Sequence, residues 1–206
     1  MQETGTRINK YMSQCGYCSR READRLIEKG EVWINGTLAT MGTKVMPGDT
    51  VMVHHTTITP CQKEYLLAFH KPAGIVCTTS KIDKNNVIDY LNFPERIYPV
   101  GRLDKESTGL LLLTNNGQLM DDILRGSNYH EKEYIVHVNK PITDSVLQAM
   151  AQGVPILDTI TRPCKIRRMG KDCFYITLTQ GLNRQIRRMC EYFDYRVTSL
   201  KRIRIM

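Results

Sequence analysis

Four ionisable residues, Arg102, Asp104, Lys105 and Glu106, stand just ahead of the leucine run 110–113. A carboxylate in such company can act as a base or nucleophile while a guanidinium holds an anion. "GLLLLT" is short and apolar, bounded by Thr108-Gly109 and Asn115-Asn116-Gly117, and is expected to be a buried strand. Asp104 then sits in the loop entering that strand, where a rigid support can position a reactive side chain. An Asp104–Arg102 pair, or a turn cap, explains the same residues. Lys71, in "HKPAG", either closes a turn or points into a site, and spacing does not choose between them.

A second charged cluster lies in "QGLNRQIRRMCEYF", residues 180–193. Ile186, Met189, Cys190 and Phe193 recur at helical spacing, with Asn183 as the expected N-cap. Arg184, Arg187 and Arg188 crowd the first turns, where cations oppose the helix dipole, a local cost that suggests anionic partners. "CGYC", Cys15–Cys18, has the spacing of a redox dithiol. It follows a helix rather than a strand, so small turn residues are the better reading. His54, His55, His70, His130 and His137 are not grouped with Cys or acids at ligand spacing, and no phosphate-loop or dinucleotide fingerprint appears. No metal and no cofactor are expected.

These residues must be held by 206 residues of net charge +8, enough for one good domain and a small one. The positive balance favours a polyanionic partner, most commonly nucleic acid. Seven scattered cysteines do not form a disulfide framework. No apolar stretch is long enough for a bilayer, and "MQETGTRINK" lacks a signal segment, so a reduced, cytoplasmic protein without membrane association is expected.

The first domain is expected over residues 1–56. Ile8, Tyr11 and Met12 define one helix that stops at Gly16. Ser19 and Glu22 form a capping box for a second helix, with Ala23, Leu26 and Ile27 inward and Gly30 at its end. "VWINGTLA" reads as a strand entering an Asn-Gly turn, and Pro47-Gly48-Asp49 precedes a strand at Val51 and Val53. Arg7, Lys10, Arg20, Arg21 and Arg25 are expected on the polar side of the helices with few opposing acids, as a phosphate-binding surface. The segment resembles the αL RNA-binding module, most specifically through "SRREADRLIEKGEVWING".

Residues 57–64 are expected to be a linker, and 65–206 a second domain. "YLLAFHKPAGIVCTT" suggests a strand, a break at Lys71-Pro72 and another β-rich run. "EKEYIVHV" alternates, placing Lys132, Tyr134, Val136 and Val138 on one side. A helix capped by Thr143 and stopped at Gly153 follows, then a hairpin around Gly170 and a basic terminal strand. The whole is α+β, with a mixed, largely antiparallel sheet in the second domain.

Taken together, "HKPAGIVCTT", "PVGRLDKESTGLLLLTNNG", "HEKEYIVHVNKPIT", "GVPIL" and "QGLNRQIRRMCEYF" resemble the RsuA family of pseudouridine synthases, in its RluF-like branch. That resemblance covers nearly the whole chain. It implies isomerisation of a specific uridine in a structured stem-loop of large-subunit ribosomal RNA, with tRNA as a further substrate, by a monomer without cofactor. It makes Asp104 the catalytic carboxylate, Tyr134 the stacking partner of uracil and Arg187 the cation paired with Asp104. Arg102 would hold the flipped nucleotide, and Lys71, Arg184 and Arg188 would add further RNA contacts. Members of the family continue past "RIRIM", so the resemblance also implies that the final sheet edge is cut short. A non-catalytic, ribosome-associated RNA-binding protein is the alternative, and a thiol oxidoreductase a distant third.

Overall fold

The computed structural model describes residues 5–61, 63–80 and 82–206. The chain divides into two compact units, Met1–Tyr65 with Asn115–Gly117, and Leu66–Thr114 with Gln118–Met206.

In the first unit, α1 (Ile8–Gln14) and α2 (Arg20–Glu28) pack on a small sheet. Strand β1 (Thr6–Arg7) pairs with β4 (Lys44–Val45), while β2 (Val32–Ile34), β3 (Thr37–Leu38), β5 (Val51–Val53) and β6 (Thr56–Ile58) run in the order β3-β2-β5-β6. The Ser19 hydroxyl accepts from the Glu22 N–H at 3.1 Å, as a cap should. Asn35 and Gly36 both have positive φ, the geometry of a two-residue hairpin turn. Ile8, Met12, Ala23, Leu26, Ile27 and the strand valines fill one core.

Two expectations change here. The unit does not end at residue 56, because β6 pairs with β5 and Ile58 is buried in the core. Half-polar "TTI" hides a strand that carries a single inward residue. Arg7 belongs to no helix but to β1, since its backbone pairs with Lys44.

The second unit is built on a seven-stranded sheet in the order β13-β14-β10-β15-β9-β7, with β8 also on β9. Its strands are β7 (Leu66–Lys71), β8 (Tyr98–Val100), β9 (Thr108–Thr114), β10 (Lys132–Val138), β13 (Lys165–Arg168), β14 (Cys173–Leu178) and β15 (Val197–Ile205). All pairings are antiparallel except β15 with β9. A small hairpin, β11 (Pro155–Ile156) with β12 (Thr159–Ile160), stands apart from the sheet. Helices are α3 (Val87–Leu91), α4 (Gly117–Leu124), α5 (Asp144–Gln152) and α6 (Gln185–Tyr192).

One core gathers Val136, Phe174, Ile176, Met150, Met189 and their neighbours. A second gathers Val87, Ile97, Leu103, Leu111 and Leu113. Each large apolar side chain so buried contributes roughly 1.5–3 kcal/mol.

The leucine run is a strand, but only alternate residues are fully hidden. Leu111 and Leu113 lie in the core, whereas Leu110 and Leu112 are half-buried on the opposite face. No strand follows Lys71 over residues 72–80, where Val76 makes only an isolated bridge to Asn86. The last strand, β15, is not an edge: it lies between β10 and β9. Gly109 (φ +100°) makes that parallel pairing possible, because any Cβ there would collide with the Arg202 carbonyl oxygen.

Candidate active site

Asp104 stands in the loop from β8 to β9, fixed from several sides. Leu103 is anchored in the core and its N–H meets the Cys77 sulfur at 3.3 Å. The Asp104 carbonyl accepts from the Ser107 N–H at 3.0 Å, closing a turn. The Lys105 carbonyl accepts from the Gly74 N–H at 2.8 Å and from the Lys71 ammonium at 3.2 Å. Lys71 is fully buried, and its ammonium also donates to the Pro72 carbonyl at 2.7 Å. Burial lowers its pKa. Its expected role as an RNA contact is therefore corrected: this lysine is spent on holding the loop.

The Asp104 carboxylate meets Arg187 Nε at 3.4 Å and Arg184 at 4.0 Å, not Arg102. Arg184 also reaches Glu106 at 3.8 Å. α6 starts one residue later than expected. Arg184, at φ 50°, is its N-cap, and the Gln185 side chain accepts from the Leu182 N–H at 3.0 Å in place of an Asn183 cap. This start turns Arg187 inward, where it is 9% exposed. Its Nη2 donates to the buried Ser107 hydroxyl and its Nη1 to the Val197 carbonyl, both at 3.4 Å. Arg188 turns away and donates to the carbonyl and side chain of its own Asn183.

Asp104, Ser107, Arg102, Arg184 and Tyr134 line one cleft of about 600 Å³. Tyr134, on β10, packs against both cores of the unit, which fixes its ring. The cleft holds further residues that sequence reasoning missed: Lys132, Arg162, Gln180 and Arg202. Lys132 was within reach, since strand period puts it on the Tyr134 side. Arg202 and Ser107 left no such signal, because their roles depend on which strands become neighbours.

In the first unit, Arg7, Arg20, Arg21 and Arg25 are exposed and Lys10 is half-buried. Arg25 is paired with Glu22 at 3.1 Å, so that surface is less free of acids than expected. The Cys15 thiol is pushed up to about 11, chiefly by burial, the reverse of a reactive dithiol. Among the described residues, one group of potential metal ligands does come together, His137, Asp172 and Cys173, with ligand atoms within 4.8 Å of one another. It was invisible in the sequence because His137 and Cys173 meet across β10 and β14. No described helix is long and apolar enough to cross a membrane.

Residues 65–192 match the RNA pseudouridylate synthase family, and residues 6–51 match the S4 domain. The chain belongs to the RNA pseudouridylate synthase family. It is 54% identical to the dual-specificity RNA pseudouridine synthase RluF of Salmonella typhi, over 99% of this chain and 71% of that protein. It is 33% identical to the ribosomal large subunit pseudouridine synthase B of Bacillus subtilis, over 95% of this chain and 84% of that one. A solved pseudouridylate synthase superposes with a TM-score of 0.68 at 26% identity, covering 97% of this chain and 88% of that chain. The protein is thus an RNA pseudouridine synthase with an N-terminal S4 domain. The synthase match takes in Asp104, Tyr134 and Arg187, and the alternative of a purely binding protein falls away.

Proposed function

We propose that this synthase acts as a cytoplasmic monomer on one uridine in a structured stem-loop of large-subunit ribosomal RNA, with tRNA as a second substrate. Support comes from relatives whose names specify the large ribosomal subunit and dual specificity. The catalytic set is Asp104, Tyr134 and Arg187. The observation that carries this reading is the Asp104 carboxylate, 3.4 Å from a buried guanidinium, on the wall of a cleft wide enough for a nucleotide.

A target uridine must leave its stack to reach such a cleft. Tyr134 then offers a ring face for uracil, and Arg102 and Arg184 hold the phosphates beside it. Arg187 orients the half-buried carboxylate through a charge-assisted contact at 3.4 Å. With Asp104 acting as nucleophile or base, the bond between C1′ and N1 breaks, the base turns and C5 bonds to C1′; the C5 proton is lost and N1 takes one up, so the base is isomerised with no net change. Tyr134 is the residue placed to help that proton leave. Oxidation state is unchanged overall, so the reaction calls for no electron carrier.

The S4 unit supplies grip. Arg7, Lys10, Arg20, Arg21 and Arg25 meet phosphates, which look alike in every sequence. Its extent as a binding domain is that of the first compact unit, Met1–Tyr65 with Asn115–Gly117. The test is tritium release from unmodified large-subunit ribosomal RNA labelled at uridine C5. One equivalent released per RNA is expected; none would refute the proposed target.

A further inference from the structure

Arg202 is 3% exposed and lines the cleft. Its Nε donates to the Leu110 carbonyl at 2.7 Å, which pins the guanidinium. Its Nη2 is buried with no hydrogen-bond partner. Among the described residues no carboxylate lies within ion-pairing distance of it. A buried, permanently charged group left so is expensive, and its cost is recovered when an anion arrives. Lys132 also lines the cleft; among the described residues it too has no carboxylate within ion-pairing distance, and its ammonium donates to the His130 carbonyl at 3.3 Å. Burial, and then the charge of Arg202, lowers the pKa of Lys132. Two cations without counter-charges among the described residues therefore share this cleft.

The anion they await is not a phosphate, which exposed Arg102 and Arg184 can meet at the rim. Arg202 is the cross-strand partner of Tyr134, the residue proposed to stack on uracil. Building on that reading, we infer that Arg202, assisted by Lys132, stabilises the negative charge that uracil carries once detached. When the C1′–N1 bond breaks, its electron pair goes to N1 and spreads onto O2 and O4. When C5 then bonds to C1′ with the C5=C6 pair, the C5 proton is lost and N1 is protonated. A fixed guanidinium beside the oxygens lowers the barrier to the first step without reorganising.

The test is single-turnover consumption of the target nucleoside, with RNA affinity measured in parallel. Two transcripts of large-subunit ribosomal RNA are used, one with uridine and one with 5-fluorouridine. Fluorine withdraws electrons and stabilises the base anion by itself. Arg202→Met should slow uridine consumption about 100-fold. The loss on the fluorinated RNA should be about tenfold smaller, with affinity for either RNA held within roughly threefold. Arg202→Lys should recover part of the rate, and Lys132→Met, which leaves the bond to Leu110 intact, should show a smaller loss with the same fluorine dependence. If Arg202→Met does not fold, those two variants decide. Equal losses on both transcripts, or affinity falling in step with rate, would overturn the inference. An active wild-type enzyme with unaffected variants would refute this inference alone, whereas an inactive wild type would refute the proposed target.

Discussion

Both units are rich in arginine, but they use it in opposite ways. In the second unit Arg187 and Arg202 are nearly sealed, and each makes at least one bond to a backbone carbonyl. In the first unit Arg7, Arg20 and Arg21 stand in water. A buried guanidinium has lost its hydration and is held in one orientation, so its field acts undiminished on one atom. An exposed one is screened within about 10 Å at 0.1 M salt, and only the sum over several matters. The difference separates chemistry, which needs a few charges placed exactly where bonds change, from grip, which needs many placed loosely.

Substitution should expose that difference. Arg187→Ala leaves Asp104 without its nearest cation and should cut single-turnover rate about 100- to 1000-fold, with RNA affinity little changed. Arg187→Lys should recover little, because a lysine cannot reach Asp104, Ser107 and Val197 together. A rate within threefold of wild type for Arg187→Ala would remove it from the site.

Tyr134 sharpens the matter within the cleft. Tyr134→Ala removes the stacking face and should cost roughly 5- to 150-fold, given about 1–3 kcal/mol for stacking one base. Tyr134→Phe keeps the face, so the residual loss, read as a rate ratio, isolates the hydroxyl. Equal rates for Phe and Ala would show that stacking contributes nothing.

On the other surface, Arg7, Arg20 and Arg21 replaced together by Gln should leave the rate at saturating RNA unchanged. Affinity should fall, and the slope of log K against log salt should flatten by roughly 0.7 to 0.9 for each lost phosphate contact. Titrations at several salt concentrations measure this. An unchanged slope would mean the surface is not the grip.

The smallest effect concerns the Cys15–Cys18 pair. With the Cys15 thiol pushed up to about 11, only about one molecule in a thousand is thiolate at pH 8. Alkylation followed by mass spectrometry should therefore find exposed Cys61 modified well before Cys15, with Cys15 quickening as pH rises towards 11. Rapid Cys15 alkylation at pH 7 would revive a redox role.

How much of this was readable in the chain depended on whether the signal was local. The Ser19 cap, the Asn35-Gly36 turn and the Thr143 cap are set within a few residues, and they appear as expected. The alternation of β10 shows in burial only at Val136 and Val138, because the strand is irregular against β15. The start of α6 was misread because an αL residue and a Gln185 side chain do the work assigned to Asn183. Lys71 was left open between a turn and a site, because spacing cannot tell a lysine that reaches a ligand from one that reaches two carbonyls; only its place among the RNA contacts fails. Arg202 was silent because it enters the cleft only through the β10-β15-β9 order, a matter of topology. Asp104 was legible as a candidate from its loop and strand; its pairing with Arg187, on a helix far along the chain, was expected only through the family resemblance, and it is found.

The central claim is that bond-making resides in the Asp104 carboxylate while RNA affinity does not. The most direct measurement compares wild type with Asp104→Asn on the same C5-tritiated ribosomal RNA, reading tritium release and RNA affinity together. Asn keeps the size of the side chain and removes its charge. Release slowed by about 10⁴-fold or more, with affinity within a factor of roughly three, is the result this account predicts. Release at the wild-type rate from purified Asp104→Asn would contradict it.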